Sequence, residues 1–129
     1  THKGMVAVIY IDPPYNTGNN DFKYNDKFVD KNDTWRHSKW LTFMSKRLEL
    51  AKELLTEKGI IFISIDDNEQ AQLKLLCNAI FGEENFITNI IWESKTGASD
   101  AKTIDTITEY ILVYVKSPGK TNYSRNKFS

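Results

Sequence analysis

Apolar residues fall along this chain in two kinds of pattern, and their alternation sets the expected fold. Residues 5–11 (MVAVIYI) form an unbroken apolar run rich in β-branched side chains, halted by Asp12, Pro13 and Pro14. That run predicts a strand buried on both faces, as in a parallel sheet. A second run, 59–65 (GIIFISI), leads into Asp66-Asp67-Asn68-Glu69. Between them, Leu41, Met44, Leu48, Ala51 and Leu55 recur at alternating spacings of three and four, which puts them on one helix face. The helix is expected from Trp35 or Ser38 to Lys58, with Asp33 or Ser38 capping its start and Gly59 ending it. A second helix is expected from the 66–69 turn to about Phe81, ended by Gly82, with Leu73, Leu76, Cys77 and Ile80 inward. Residues 87–93 (ITNIIWE) and 110–116 (YILVYVK) read as two more strands, with a Gly/Ser/Thr/Asp-rich loop from Ser94 to about Thr106 between them.

The order predicts an α/β fold. The first three strands are separated by helices and so imply parallel crossovers, whereas the last two, joined by a non-helical loop, can pair antiparallel. The polar stretch 16–34 is longer than most loops in a compact domain, and loops of that length are often functional. Phe22, Tyr24 and Phe28 interrupt it without helical spacing and read as its anchors.

With 129 residues, 40% of them apolar, the chain is long enough for one domain with a real core. No segment resembles a signal peptide, and no apolar run approaches the length of a membrane span. Cys77 is the only cysteine, which excludes an internal disulfide, and with His2 and His37 it does not make a zinc site. Cys77 is expected on a buried helix face, no metal is expected, and the whole fits a cytoplasmic protein. Seventeen basic and 17 acidic residues cancel, so composition lends no support to tight nucleic-acid binding. Charge is uneven, however: four basic residues and no acids lie between Lys116 and Ser129. The chain opens almost directly into a strand and ends without clear periodicity, as expected of a segment of something longer.

The chemistry concentrates at Asp12-Pro13-Pro14-Tyr15. Ligands of open α/β sheets bind beyond the carboxyl ends of strands, where this tetrapeptide sits. Two prolines remove two backbone donors and fix two φ angles, leaving a stiff turn with free acceptors beside an aromatic ring. Such a turn suits a nitrogen bearing two hydrogens. The exocyclic amine of a base is a poor nucleophile because its lone pair is delocalised into the ring. The Asp12 carboxylate and the Pro13 carbonyl could hold both N–H groups and favour a pyramidal nitrogen aimed at an incoming methyl. Catalysis would then be positioning and electrostatics, without a strong base. Tyr15 offers a face for a base that has left the duplex, and such stacking is worth about 1–3 kcal/mol. The plain alternative is a tight turn with Tyr15 merely packed; composition alone would produce the tetrapeptide in on the order of one chain in a thousand.

Asp12 to Gly18 (DPPYNTG) after VIYI resembles the catalytic motif of amino-methylating DNA methyltransferases. The longer pattern of FKYNDKF, WRHSKWLTFMSKRLELAKELL, GIIFISIDDNE and EYILVYVKS resembles the modification subunit of type III restriction–modification systems. The resemblance runs to about residue 118. It implies a partial S-adenosylmethionine-dependent methyltransferase sheet, Rossmann-like and mostly parallel with one antiparallel strand. It implies S-adenosylmethionine as donor and adenine N6 as acceptor, in a bacterial cytoplasm. Residues 1–118 would be the target-base half of the domain, and 119–129 an irregular tail leading toward a target-recognition region. The Gly-rich F-x-G-x-G motif that holds the donor in this family is absent from these residues, so the segment is expected to be inactive alone. Implied partners are double-stranded DNA with a flipped adenine, a restriction (helicase/nuclease) subunit and a second copy of the full-length protein, with no membrane.

Secondary candidates have plainer readings beside them. Asn16, Thr17 and Gly18 are expected near the base or donor. Asp66 could line the base pocket, or form a capping box with Glu69. Lys23, Lys27, Lys31, Arg36 and Lys39 could meet DNA phosphates, yet aspartates 21, 26, 30 and 33 interleave with them. Tyr110 could flank the flipped base or simply face the core. Thr108-Glu109 stands where the family carries His-Glu, which weakens any role assigned there. His37 reads as solvent-facing or capping, and Trp35, Trp40 and Trp92 as core or interface residues. Three rivals remain: cytosine-N4 methylation, for which the family has Ser at position 12; methylation of a protein glutamine amide, which would call for Asn there; and a non-catalytic assembly module.

Overall fold

The computed structural model describes residues 3–96 and 105–117. In chain order these are β1 (Val6–Ile11), a small hairpin of β2 (Lys23–Tyr24) and β3 (Lys27–Phe28), α1 (Arg36–Leu54), β4 (Leu55–Asp66), α2 (Gln70–Phe81), a 3-10 turn (Glu83–Asn85), β5 (Phe86–Thr96) and β6 (Asp105–Val115). The main sheet is four-stranded, in the order β1-β4-β6-β5. Strand β4 lies parallel to β1, and β6 runs antiparallel to both β4 and β5. Three strands therefore share a direction and β6 alone is reversed. The expected third parallel neighbour, β5, instead reaches the sheet only through β6, because the hairpin partner takes the place beside β4.

Both helices cover one face. Trp40, Met44, Leu48 and Ala51 of α1, with Leu73, Cys77 and Phe81 of α2, pack on Ile61, Ile63, Ile65, Leu112 and Tyr114. The helical face is the expected one with Trp40 added. The helix itself is shorter, for Leu55 turns extended (φ −70, ψ 142) and is fully buried, so the chain enters β4 four residues before Gly59. The second helix ends as expected at Gly82, whose φ of 98 favours glycine.

The opposite face corrects the first expectation. Strand β1 is not buried on both sides: Val8 and Tyr10 are each 59% exposed. Alternation and pairing put them on one face with Phe62, Ser64, Ile90, Trp92 and Ile111, away from both helices. Ile90 and Trp92 are exposed there as well. The loop expected from Ser94 to Thr106 is narrower, since the β5–β6 ladder continues to Thr96 opposite Asp105; the residues between, and the 119–129 tail, lie outside the described residues. No helix among the described residues is long and apolar enough to cross a membrane.

Candidate active site

The first strand delivers Asp12 to the carboxyl end of the sheet, on the uncovered face. There a cavity of about 160 Å³ is lined by Tyr10, Asp12, Tyr15, Ser64, Trp92, Glu109, Tyr110 and Ile111. Asp12 points into this space and not into the apolar interior. Its Oδ1 accepts a 2.8 Å hydrogen bond from Ser64 Oγ, one strand over on β4. One carboxylate oxygen is thereby fixed, and the other has no partner among the described residues.

The turn that follows is held at Pro14 and Tyr15. Pro14 gives its carbonyl to Trp40 Nε1–H of α1 at 2.8 Å. Pro13 is buried, and no donor among the described residues reaches its carbonyl oxygen. Of the two proline oxygens, that of Pro13 is therefore the one without a partner among the described residues. Tyr15 donates its phenol proton to Glu109 Oε1 at 3.2 Å. The phenol is pushed up to about 12, mainly because burial disfavours the phenolate; the Ser64 hydroxyl pulls it down, and the charge of Glu109 adds to the rise. The ring is thus a neutral, fixed wall at ordinary pH.

Other candidates are sorted by position. Tyr110 lines the cavity and donates to Asp67 Oδ1 at 2.6 Å, which raises its phenol pKa. Asn16 does not line it: the side chain is completely buried and bonds Glu69 Oε2 at 2.7 Å. Thr17 N–H is taken by both oxygens of Asp21. Gly18, at φ 86, lies against the backbone of Lys31, where a Cβ would come within 2.7 Å of main-chain atoms. These three shape the turn and do not border the cavity. Asp66 also stays outside; it accepts from the backbone and side chain of Asn68. No capping box forms, because the Glu69 carboxylate turns inward.

The basic candidates are scattered. Lys39 pairs with Asp33 at 2.6 Å, Lys23 sits over the Phe28 ring, and Arg36 Nη2 approaches His37 Nε2 at 3.5 Å. Lys27 and Lys39 border one groove by the β2–β3 hairpin, and Lys23, Lys46 and Arg47 another. Lys31 is exposed and lines neither. Of the loop aromatics, Phe22 is a buried anchor packed edge-on against Phe43 at 5.1 Å, whereas Phe28 is half exposed. Trp40 is core, while Trp35 and Trp92 are exposed.

Sequence reasoning missed Ser64, Glu109 and Trp92 as cavity residues, and the pairing of a buried Glu69 with the part-exposed His37. Ser64 carried one signal, as the lone hydroxyl in an apolar strand. Glu109 and Trp92 are adjacent only through the β5–β6 register, which no local pattern encodes.

The N6/N4 DNA methylase family model matches residues 6–129. The chain is 50% identical over 119 residues to the probable type III restriction–modification enzyme HindVI Mod subunit of Haemophilus influenzae, covering 89% of this chain and 15% of that protein. It is 48% identical over 119 residues to the type II methyltransferase M.KpnI of Klebsiella pneumoniae, covering 91% of this chain and 28% of that one. The chain thus spans less than a third of either relative. Among solved structures, TTHA0409 of Thermus thermophilus, crystallised with S-adenosyl-L-methionine, superposes with a TM-score of 0.65 at 18% identity, over 91% of this chain and 50% of that one. That likeness shows a shared fold. A family match over nearly the whole length, together with relatives at about half identity, makes this chain a member of the N6/N4 DNA methylase family.

Proposed function

We propose that this chain forms the target-base side of a site-specific DNA methyltransferase that methylates adenine N6, as the modification subunit of a type III restriction–modification system. The observation that carries the reading is the rigid corner at the end of β1. Asp12, with one carboxylate oxygen held by Ser64, and Tyr15 line a cavity sized for a single planar heterocycle, and the unpartnered Pro13 carbonyl belongs to the same turn.

In this reading a flipped adenine enters the cavity and lies against Tyr15. Its amino group donates one N–H to Asp12 and the other to the Pro13 carbonyl. Ser64 stops the carboxylate from rotating, so the acceptor is in place before the base arrives. Preorganised acceptors of this kind cost no reorganisation during reaction. The two bonds withdraw the nitrogen lone pair from the ring and aim it out of the plane. The proton is lost after attack, so no strong base is required.

The donor, S-adenosylmethionine, supplies an electrophilic methyl group when bound. The residues present fit the amine and not the bulk of the donor: the cavity is walled by aromatic and acidic side chains, and the chain contains no F-x-G-x-G turn. No residue of this chain is therefore assigned to the donor's methionine end. A restriction subunit and a second modification subunit are the proposed protein partners; the Mod relative, named as a subunit of a type III restriction–modification enzyme, supports the first.

The test is methylated-nucleoside analysis of unmethylated genomic DNA after incubation of the full-length protein with labelled S-adenosylmethionine. N6-methyladenine is expected. N4-methylcytosine would transfer the reading to the other base of the family, and no methylated base at all would favour the non-catalytic assembly module.

A further inference from the structure

The Glu69 carboxylate is fully buried, at the residue preceding α2, where a side chain ordinarily caps the helix. It caps nothing. Its Oε2 accepts from Asn16 Nδ2 at 2.7 Å, and its Oε1 accepts from His37 Nδ1 at 2.7 Å. The same Asn16 amide donates again to the Arg36 carbonyl at 3.2 Å. One carboxylate therefore ties together the turn after β1, the start of α1 and the start of α2.

We propose that Glu69 is a positioning residue for the Asp12–Tyr15 corner, acting through Asn16. The proposal rests on the methyltransferase reading above. Asn16 directly follows Tyr15 and has φ 61, a left-handed conformation that asparagine tolerates better than most residues. Its side-chain amide is held at short distance from a second element, so the chain direction just past Tyr15 is fixed. The Tyr15 hydroxyl is fixed separately on Glu109, and the Pro14 carbonyl on Trp40. The anchor at Asn16 completes the set.

Stability alone is a poor explanation for this arrangement. A buried carboxylate loses hydration that its partners only partly return, and apolar side chains of similar volume would often stabilise as well or better. What the carboxylate adds is direction, for it accepts one hydrogen bond from each of two elements at a defined place. A displacement of about 1 Å at a catalytic corner costs on the order of 100-fold in rate.

The test uses the full-length protein, unmethylated genomic DNA and labelled S-adenosylmethionine, with Glu69→Gln as the main variant. The amide that replaces the carboxylate accepts more weakly than an ionised group, and its NH2 either opposes the Asn16 donor or forces His37 into the tautomer whose Nδ1 accepts. The expected result is a kcat lower by on the order of 10- to 100-fold, with the KM for DNA within about twofold. Hydrogen exchange at the amides of Tyr15, Asn16 and Thr17 should quicken while the β4 amides keep their protection. The double variant Asn16→Asp/Glu69→Gln reverses the polarity of the central hydrogen bond and should recover part of the lost kcat. Tyr114→Phe, which removes the 2.6 Å bond to Asn78 on α2, serves as the purely structural control and should lower Tm without changing kcat per folded molecule.

The proposal is overturned if Glu69→Gln behaves like Tyr114→Phe. It is equally overturned if the double variant folds and recovers nothing, which decides the matter even where Glu69→Gln fails to fold. If the wild-type protein transfers no methyl, the functional reading falls; unchanged exchange at residues 15–17 in Glu69→Gln would then remove the anchor as well, and faster exchange would retain it.

Discussion

Asp12 and Ser64 form the shortest route from structure to chemistry. Asp12→Ala removes one of the two proposed acceptors for the amine and is expected to lower kcat by on the order of 100- to 1,000-fold, with DNA affinity in a gel-shift assay almost unchanged. Ser64→Ala leaves the carboxylate in place but lets it rotate, so a smaller loss, about 10-fold, is expected in the same methylation assay. Tyr15 separates two roles. Tyr15→Phe keeps the ring and loses the 3.2 Å bond to Glu109, whereas Tyr15→Ala loses stacking worth about 1–3 kcal/mol. A loss of activity much larger for Ala than for Phe is the expected pattern, and equal losses would contradict a stacking role. The corner itself was legible in the sequence, because two prolines after an apolar run specify a stiff turn locally. Its supporting residues were not, since Ser64 and Glu109 meet it only across the sheet. Asn16 shows the complementary failure: it is adjacent to Tyr15 in sequence, yet the left-handed turn swings it to the other side of the corner.

At the level of elements, periodicity found every main strand and both helices, and erred at their ends. The first helix stops before Gly59 because burying Leu55 in the sheet outweighs the propensity of residues 55–58 to continue the helix. The Asp66–Glu69 turn looked like a cap, but the buried partner Asn16 competes for the same carboxylate, and sequence spacing carries no sign of it. Two substitutions test how the elements hold the corner. Leu48→Ala, at a fully buried position of α1, is expected to cost about 2–5 kcal/mol in urea unfolding. Gly18→Ala meets both a positive φ and the Lys31 backbone, so it should destabilise the 16–34 loop by at least about 1 kcal/mol. Loop proteolysis should accelerate in that variant, and unchanged cleavage would contradict the tight approach.

For the whole molecule, the alkaline limb of stability has an assigned origin. Burial pushes the Cys77 thiol from its ordinary 9.0 up to about 12, and the Tyr15 phenol rises from 10.0 to about 12. Each folded group keeps its proton where the unfolded chain has lost it, so the folded state holds more protons and stability falls as pH rises. The urea midpoint should be level below pH 9 and decline from there toward 12; in Cys77→Ala the decline should begin nearer pH 10. The uncovered sheet face bears on the isolated chain. With Val8, Tyr10, Ile90 and Trp92 exposed, these 129 residues on their own should self-associate in light scattering and transfer no methyl, and turnover by the monomer would refute this. That open face was the main surprise of the fold: an apolar strand sequence encodes what it needs to bury and not which part of a protein buries it. The proposed pair of amine acceptors, finally, sets an arithmetic for the catalytic cycle. A methylated amine has one hydrogen left for two waiting oxygens, and an acceptor stranded away from water costs about 1–3 kcal/mol. The site should therefore release its product more readily than its substrate and stop at a single methyl, with no dimethylated base accumulating even under prolonged incubation.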